Sequence, residues 1–407
     1  MEAKQKALVL CALTVEAKRI DDPRYQFDTE EKDGVVVRCI INNAEVLDVP
    51  GVVYHLHPNE TEKNRLDSLE VLIKDNTKRF SEVFRQLPYG IIKKNVTGIG
   101  ATTLALNAEN NCIVVCPTRS LAYGKYCKGI TEDGTKRYLY VGSGIGDIER
   151  VTSKNIRAYL GNKKIPYKKI LVVADSLPRL MEYLPQNLEK WHIMVDEIDC
   201  YQTDGVYPAL ENVIDYFFKF PERNRCLVSA TIRPFSDPRL ADLPLIDVKY
   251  EQFIRRPIEM IRSTNIPKTV ATTLERTIRQ YPEDKIVVAY NTVSSMRIII
   301  ELLPDELKGK CEIWCSSQSE QQAGEYYPQE NIGTHLTRQI TFLTCTYFTG
   351  IDIEDRYHLI SVSDTKYLYT LLSPEKLLQI AGRCRHKEGL LSERFIYDIQ
   401  SKKVWEK

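Results

Sequence analysis

Short apolar runs recur along most of this chain and alternate with stretches in which apolar side chains repeat every three or four positions. A first set comprises Gly90–Ile92, Asn111–Cys116, Tyr138–Val141, Ile170–Ala174, His192–Val195 and Arg225–Val228. A second comprises Ile286–Tyr290, Cys311–Trp314, Ile340–Thr344, His358–Val362 and Arg394–Tyr397. Runs without polar alternation suit strands buried on both faces, and helical patterns between them suit crossover connections, so an α/β protein with parallel sheets is expected. A helix is expected to open over Thr102–Ala108.

Upstream the pattern differs. Val35–Asn42 and Val46–Leu56 read as strands divided by an Asn-Asn turn. Glu60–Leu87 reads as a charged helical stretch in which Leu66, Leu69, Leu72 and Ile73 share a face. Residues 1–88 are therefore expected as a small N-terminal α+β segment or an extension of the next domain. A first α/β domain is expected over 89–245, a linker with prolines and mixed charges over 246–270, and a second α/β domain over 271–407.

Composition narrows the class. A chain of 407 residues suits two domains of about 150 residues plus an extra segment. No apolar run approaches the roughly 18 residues a membrane span needs, so no membrane association is expected. The opening residues, with Glu2 near their start, read as a strand rather than a signal peptide. Eleven cysteines lie mostly inside apolar runs and form no C-x-x-C pair, which points to reduced buried thiols in the cytoplasm rather than zinc or disulfides. A net charge of +1 neither supports nor excludes nucleic acid, because a binding groove can be basic on a neutral protein.

The candidate chemistry centres on Asn95–Thr103, Asn-Val-Thr-Gly-Ile-Gly-Ala-Thr-Thr. It has the shape of a phosphate-binding loop, whose backbone N–H groups wrap a nucleotide's phosphates, but the lysine position holds Ala101. Val195-Asp196-Glu197-Ile198-Asp199 closes an apolar run with three carboxylates. At the end of a parallel strand, the first carboxylate suits Mg²⁺ and the second suits alignment of an attacking water. Ser229-Ala230-Thr231 follows another run. Pro117–Ala122 reads as a strand-to-helix turn in which proline and serine act as caps, or as a phosphate contact. Thr344–Asp352 ends a run with hydroxyls, a glycine and an acid, and Gln379, Arg383 and Arg385 are expected on a helix beginning after Ser373-Pro374.

Taken in order, these motifs resemble the set of superfamily 2 helicases and translocases, the DEAD/DEAH-like ATPases, over about residues 85–400. The resemblance implies two tandem RecA-like domains that hydrolyse ATP between them while engaging single- or double-stranded nucleic acid. It implies that Thr97, Gly98, Ile99, Gly100, Ala101, Thr102 and Thr103 line the phosphates, with Thr102 and Asp196 on Mg²⁺ and Glu197 activating water. Arg383 and Arg385 would act as arginine fingers and Gln379 would align the γ-phosphate. Gly350 and Asp352 would lie by the nucleotide. Pro117, Thr118, Arg119 and Thr344 would meet the nucleic-acid backbone, and Ser229 and Thr231 would couple the acidic loop to it. DNA is favoured over RNA, with replication as the setting.

Two departures stand out. Lys94, at the loop entrance, is expected to supply the charge missing at Ala101, because a phosphate loop nearly closes on itself. Arg385 stands one place before the family's usual final arginine, where this chain has His386. Two further functions are compatible with the same motifs: a non-hydrolysing nucleic-acid scaffold, and an ATP-driven protein remodelling factor that docks its partner through residues 1–88.

Overall fold

The computed structural model describes residues 22–33, 35–47, 51–62, 65–130, 136–145, 150–203, 209–232, 234–235, 237–251, 256–329, 332–348 and 351–399. The strand expected over the opening residues, and Gly350, lie outside them. The chain divides into two compact units, residues 1–253 and 254–407.

The first unit is built on a nine-stranded sheet. Its strands in chain order are β4 (Val52–Pro58), β5 (Leu66–Ile73), β6 (Gly90–Lys93), β7 (Asn111–Cys116), β8 (Tyr138–Val141), β9 (Lys169–Val173), β10 (Trp191–Asp196), β11 (Arg225–Ser229) and β12 (Leu245–Tyr250). Across the sheet they lie in the order β4-β5-β12-β6-β11-β10-β7-β9-β8. All pairs are parallel except β4 with β5. A small antiparallel sheet precedes it, formed by β1 (Phe27–Lys32), β2 (Val35–Ile41) and β3 (Ala44–Glu45). Its β2–β3 turn is the expected Asn-Asn pair, with both residues at positive φ (47° and 65°), a conformation asparagine tolerates better than most residues.

The apolar runs bury both faces, as their lack of polar alternation predicts. In β7, Cys112, Val114 and Cys116 enter one core layer while Ile113 and Val115 enter the other. In β10, Met194 faces the first layer and Ile193 and Val195 the second. Gly90 opens β6 at φ 106°, and a Cβ there would stand 2.5 Å from the Pro244 carbonyl oxygen, so only glycine lets this central strand start beside β12.

One expectation is corrected. Leu66–Ile73 is strand β5 rather than part of a helix, with Leu66, Leu69, Val71 and Ile73 buried. β5 pairs with β12 and β4 with β5, so both strands belong to the main sheet. β12 belongs to the first unit, and Ile258–Arg262 forms a strand of the second.

That second unit has a six-stranded, wholly parallel sheet. Its strands are β13 (Ile258–Arg262), β14 (Lys285–Ala289), β15 (Cys311–Trp314), β16 (Ile340–Leu343), β17 (Tyr357–Ser363) and β18 (Ser392–Tyr397), in the order β13-β18-β17-β14-β16-β15. Core layers again lie on both faces, with Ile286 and Val288 on one side of β14 and Val287 and Ala289 on the other. The amphipathic helix Ile266–Gln280 lays Ile266, Val270, Ala271 and Leu274 into the first of these layers.

His192 makes the first unit sensitive to acid. Burial, with a smaller push from the Lys169 ammonium, holds its imidazole down at about 4, from an ordinary 6.5. Between those values the unfolded chain binds the proton and the folded chain does not, so stability falls as pH drops. About 3 kcal/mol present above pH 6.5 should be lost by pH 4. Urea midpoints measured across this range should fall less steeply in His192→Gln than in the parent protein; parallel curves would exclude the effect.

Candidate functional site

Three neighbouring strands, β6, β11 and β10, end at the same edge of the first sheet. Their C-terminal ends carry Lys94, Ser229 and the pair Asp196-Glu197. In parallel α/β sheets this is the edge where ligands bind. Sequence spacing alone put these residues far apart; the register places them side by side.

The glycine loop leads out of β6. Gly98 and Gly100 adopt φ 78° and 95°, and Gly100 is the N-cap of the helix Ala101–Asn107. The loop is braced from outside, because Phe80 N–H donates to the Ile99 carbonyl at 2.9 Å and Arg79 Nη1 to the Gly98 carbonyl at 2.9 Å. Ile99 and Ala101 bury their side chains in the core, so only their backbone is offered to a ligand. Thr103 is exposed and Thr97 half-buried. At the far end of the helix, the buried Lys169 donates to the Ala105 carbonyl at 2.8 Å, a cation where the helix dipole is negative.

Thr102 points inward. Its hydroxyl donates to Asp196 Oδ2 at 3.0 Å, which links the loop to the acidic strand end. Lys94, 5 % exposed, places its Nζ 3.0 Å from Glu197 Oε1 and 3.8 Å from Asp196 Oδ1. A second cation, Lys125 from the helix Arg119–Cys127, reaches Asp196 Oδ2 at 3.2 Å. Burial alone would raise the Asp196 carboxyl; Lys125, Lys94 and the Thr102 hydroxyl outweigh it and hold the group below its usual range. No sequence motif singled out Lys125.

Glu197 sits at φ 49°, a left-handed backbone that a non-glycine residue adopts at a cost of about 1–3 kcal/mol. Its carboxylate accepts from Lys94 and, at 3.2 Å, from Ser229 Oγ. The Thr231 hydroxyl donates to Asp199, and Ser229 Oγ lies within hydrogen-bond reach of both carboxylates, its one proton shared between Glu197 and Asp199. Burial and the neighbouring Glu197 push the Asp199 carboxyl up, and the two hydroxyls only partly offset this. Ser229 and Thr231 are thus buried partners of the acidic loop, and their side chains are not on an open surface.

In the turn after β7, Pro117 is buried and Thr118 caps the helix Arg119–Cys127, accepting from Leu121 N–H at 3.2 Å. The cap is threonine rather than the expected proline and serine, because Thr118 is the last extended residue before the helix. Arg119 donates to the Gly144 carbonyl at 3.2 Å.

In the second unit, the helix capped by Ser373 runs from Pro374 to Ala381 and stops at Gly382. Gln379 lies on it, but Arg383 and Arg385 do not, which corrects their expected placement. Arg383 stands in the turn that follows the helix and Arg385 just beyond it, on either side of Cys384, which is bridged to Ile353. Arg383 is buried, donating to the carbonyls of Gln379 (3.0 Å) and Ile351 (3.3 Å). Arg385 pairs with Asp352 at 2.8 Å. Thr344, at the end of β16, donates its hydroxyl to the Trp314 carbonyl at 3.3 Å.

A Mg²⁺ ion fits the first unit's site. Asp196 Oδ1 is buried without a hydrogen-bond partner among the described residues, and the adjoining Thr102 hydroxyl adds a second hard oxygen donor. Among the described residues no group of three or more His, Cys, Asp and Glu side chains could hold a metal unaided. Mg²⁺ typically takes one or two protein oxygens and completes its shell from phosphates and water. Among the described residues no helix is long and apolar enough to cross a membrane.

No family model and no curated protein matches this chain. Solved structures do. Mss116p bound to ssRNA and AMP-PNP superposes with a TM-score of 0.52 at 14% identity, covering 76% of this chain and 66% of that one. Dbp5 of S. cerevisiae bound to RNA and ADP BeF3 gives 0.52 at 14% identity, covering 77% and 80%. Another structure of Mss116, described as a DEAD-box helicase and bound to ssRNA and UDP-BeF, gives 0.53 at 14% identity. At such identity the likeness is one of fold: two RecA-like α/β units arranged in sequence as in the DEAD-box helicases.

Proposed function

We propose that this protein is a helicase-like ATPase that acts on single-stranded nucleic acid. The observation that carries the reading is the convergence of Thr102, Asp196, Glu197 and Lys94 at the C-terminal edge of three adjacent parallel strands, directly beside the glycine loop. Thr97–Thr103 would cradle the phosphates with backbone N–H groups, and Thr102 with Asp196 would hold Mg²⁺. When bound, that ion neutralises charge on the phosphate oxygens. Glu197 would orient the attacking water, its carboxylate fixed by Ser229 and Lys94. Lys94 would return to the site a positive charge that Ala101 lacks. The resemblance to the helicase motif set also assigns Gln379, Arg383 and Arg385 to catalysis and Gly350 and Asp352 to nucleotide binding, and these stay as candidates within the second unit.

Thr118, Arg119 and Thr344, with Pro117 shaping the turn, are assigned to the nucleic-acid backbone, where contacts fix position without reading sequence. Ser229 and Thr231, bonded to Asp199 and Glu197, would couple that contact to the acidic loop. The solved neighbours named above carry RNA, so RNA replaces DNA as the favoured strand, and replication is not carried forward. Ala101 favours one second reading, a strand-binding scaffold without turnover.

An ATPase assay with and without single-stranded RNA, and with single-stranded DNA as the comparison, separates these. Turnover stimulated by RNA is the expected result. Strand binding with no ATP hydrolysis under any condition would sink the enzyme reading and leave the scaffold.

A further inference from the structure

Lys125 is the side chain at this site that the motif pattern does not account for. It lies in the last turn of the helix Arg119–Cys127, where a lysine is commonly a solvated partner of the helix dipole. Here it turns instead onto Asp196 Oδ2, the same carboxylate oxygen that the Thr102 hydroxyl holds at 3.0 Å. The two lysines of the site differ in freedom. Lys94 is 7 % exposed at its side chain and tied to Glu197, whereas Lys125 keeps 22 % of its side chain exposed.

We propose that Lys125 is a phosphate ligand of the ATP site and takes over, from a different helix, the contact that a lysine at position 101 would make. The inference rests on the nucleotide reading above. The Asp196 carboxylate faces both lysines, Lys125 at 3.2 Å from Oδ2 and Lys94 at 3.8 Å from Oδ1. A divalent ion drawn to Asp196 and Thr102 would repel the ammonium, and the more exposed lysine is the one able to move. Its flexible four-carbon stem lets the charge transfer to a terminal phosphate oxygen a short distance away. Lys94 then remains with Glu197, so the two lysines divide the work: one holds the water-orienting carboxylate and one holds phosphate.

The test is a titration of the full chain with fluorescent ATP and ADP analogues in Mg²⁺, comparing the parent with Lys125→Ala, Lys125→Gln and Lys125→Arg. Loss of a charge-assisted contact to the last phosphate should weaken the ATP analogue roughly 10- to 100-fold and the ADP analogue less, with Lys125→Arg retaining most of the affinity. If Lys125 serves only to neutralise Asp196, the alanine and glutamine variants will melt at lower temperature yet keep the parent's ATP-to-ADP preference, and the inference falls. A parent protein that binds neither analogue overturns the nucleotide reading itself, an outcome distinct from binding that ignores Lys125.

Discussion

Glu197→Gln is expected to lower ATP turnover by about 10²–10⁴-fold, the usual share of a positioned general base, while the protein still binds ATP. The substitution keeps the shape of the side chain and an oxygen able to accept from Ser229, which now bonds it at 3.2 Å. What it removes is the negative charge that faces Lys94 at 3.0 Å and that would draw a proton from water. Steady-state hydrolysis and binding of a fluorescent ATP analogue, measured on the same preparation, give both halves of the result. Turnover within threefold of the parent would remove Glu197 from its assigned role.

Lys94→Ala is expected to destabilise the first unit. Its ammonium stands between Asp196 and Glu197, 1 % and 9 % exposed, and both carboxylates would be left short of a buried counter-charge. Breaking a buried pair from one side costs about 3–5 kcal/mol, more than the pair itself contributes, because the remaining charge is not resolvated. Lys125 and Thr102 still serve Asp196, which places the expected loss toward the lower end. The urea midpoint of the first unit's transition reads the effect. Lys94→Arg should recover part of it, and an alanine variant as stable as the parent would show that these charges are solvated in solution.

Much of the architecture was legible because strands buried on both faces are written as unbroken apolar runs. Every such run in the two sets became a strand of a parallel sheet. β5 was not legible, for a specific reason. Leu66 and Leu69 stand three apart, as on a helix, because the pairing with β4 shifts register between His57 and Pro58. Beyond that shift Leu69, Val71 and Ile73 alternate cleanly toward the core. The pattern was a strand with an irregularity, and only its partner strands reveal it.

At the site, the order of motifs along the chain points to Thr102, Asp196 and Glu197 as candidates, whereas the cations that pair with them carry no such signal. Lys94 was suspected because it adjoins the loop in sequence. Lys125 belongs to a helix that follows another strand, and nothing local distinguishes it from a lysine facing solvent. The bond from Thr102 to Asp196 and the cluster of Ser229, Thr231 and Asp199 likewise exist only once β6, β11 and β10 are set side by side. The end of the helix that precedes Arg383 was readable in principle, since Gly382 stands at its C-terminus.

Asn95 gives the loop a mechanical attachment. Its φ of 49° turns the side chain so that Nδ2 donates to the Val248 carbonyl at 3.0 Å and to the Asp247 carboxylate. Both acceptors belong to β12, the strand through which the chain leaves the first unit. The entrance of the phosphate loop is therefore tethered to the departing polypeptide itself. A displacement of that outgoing strand would reach Asn95, next to Lys94, through these two bonds as well as through the pairing of β12 with β6.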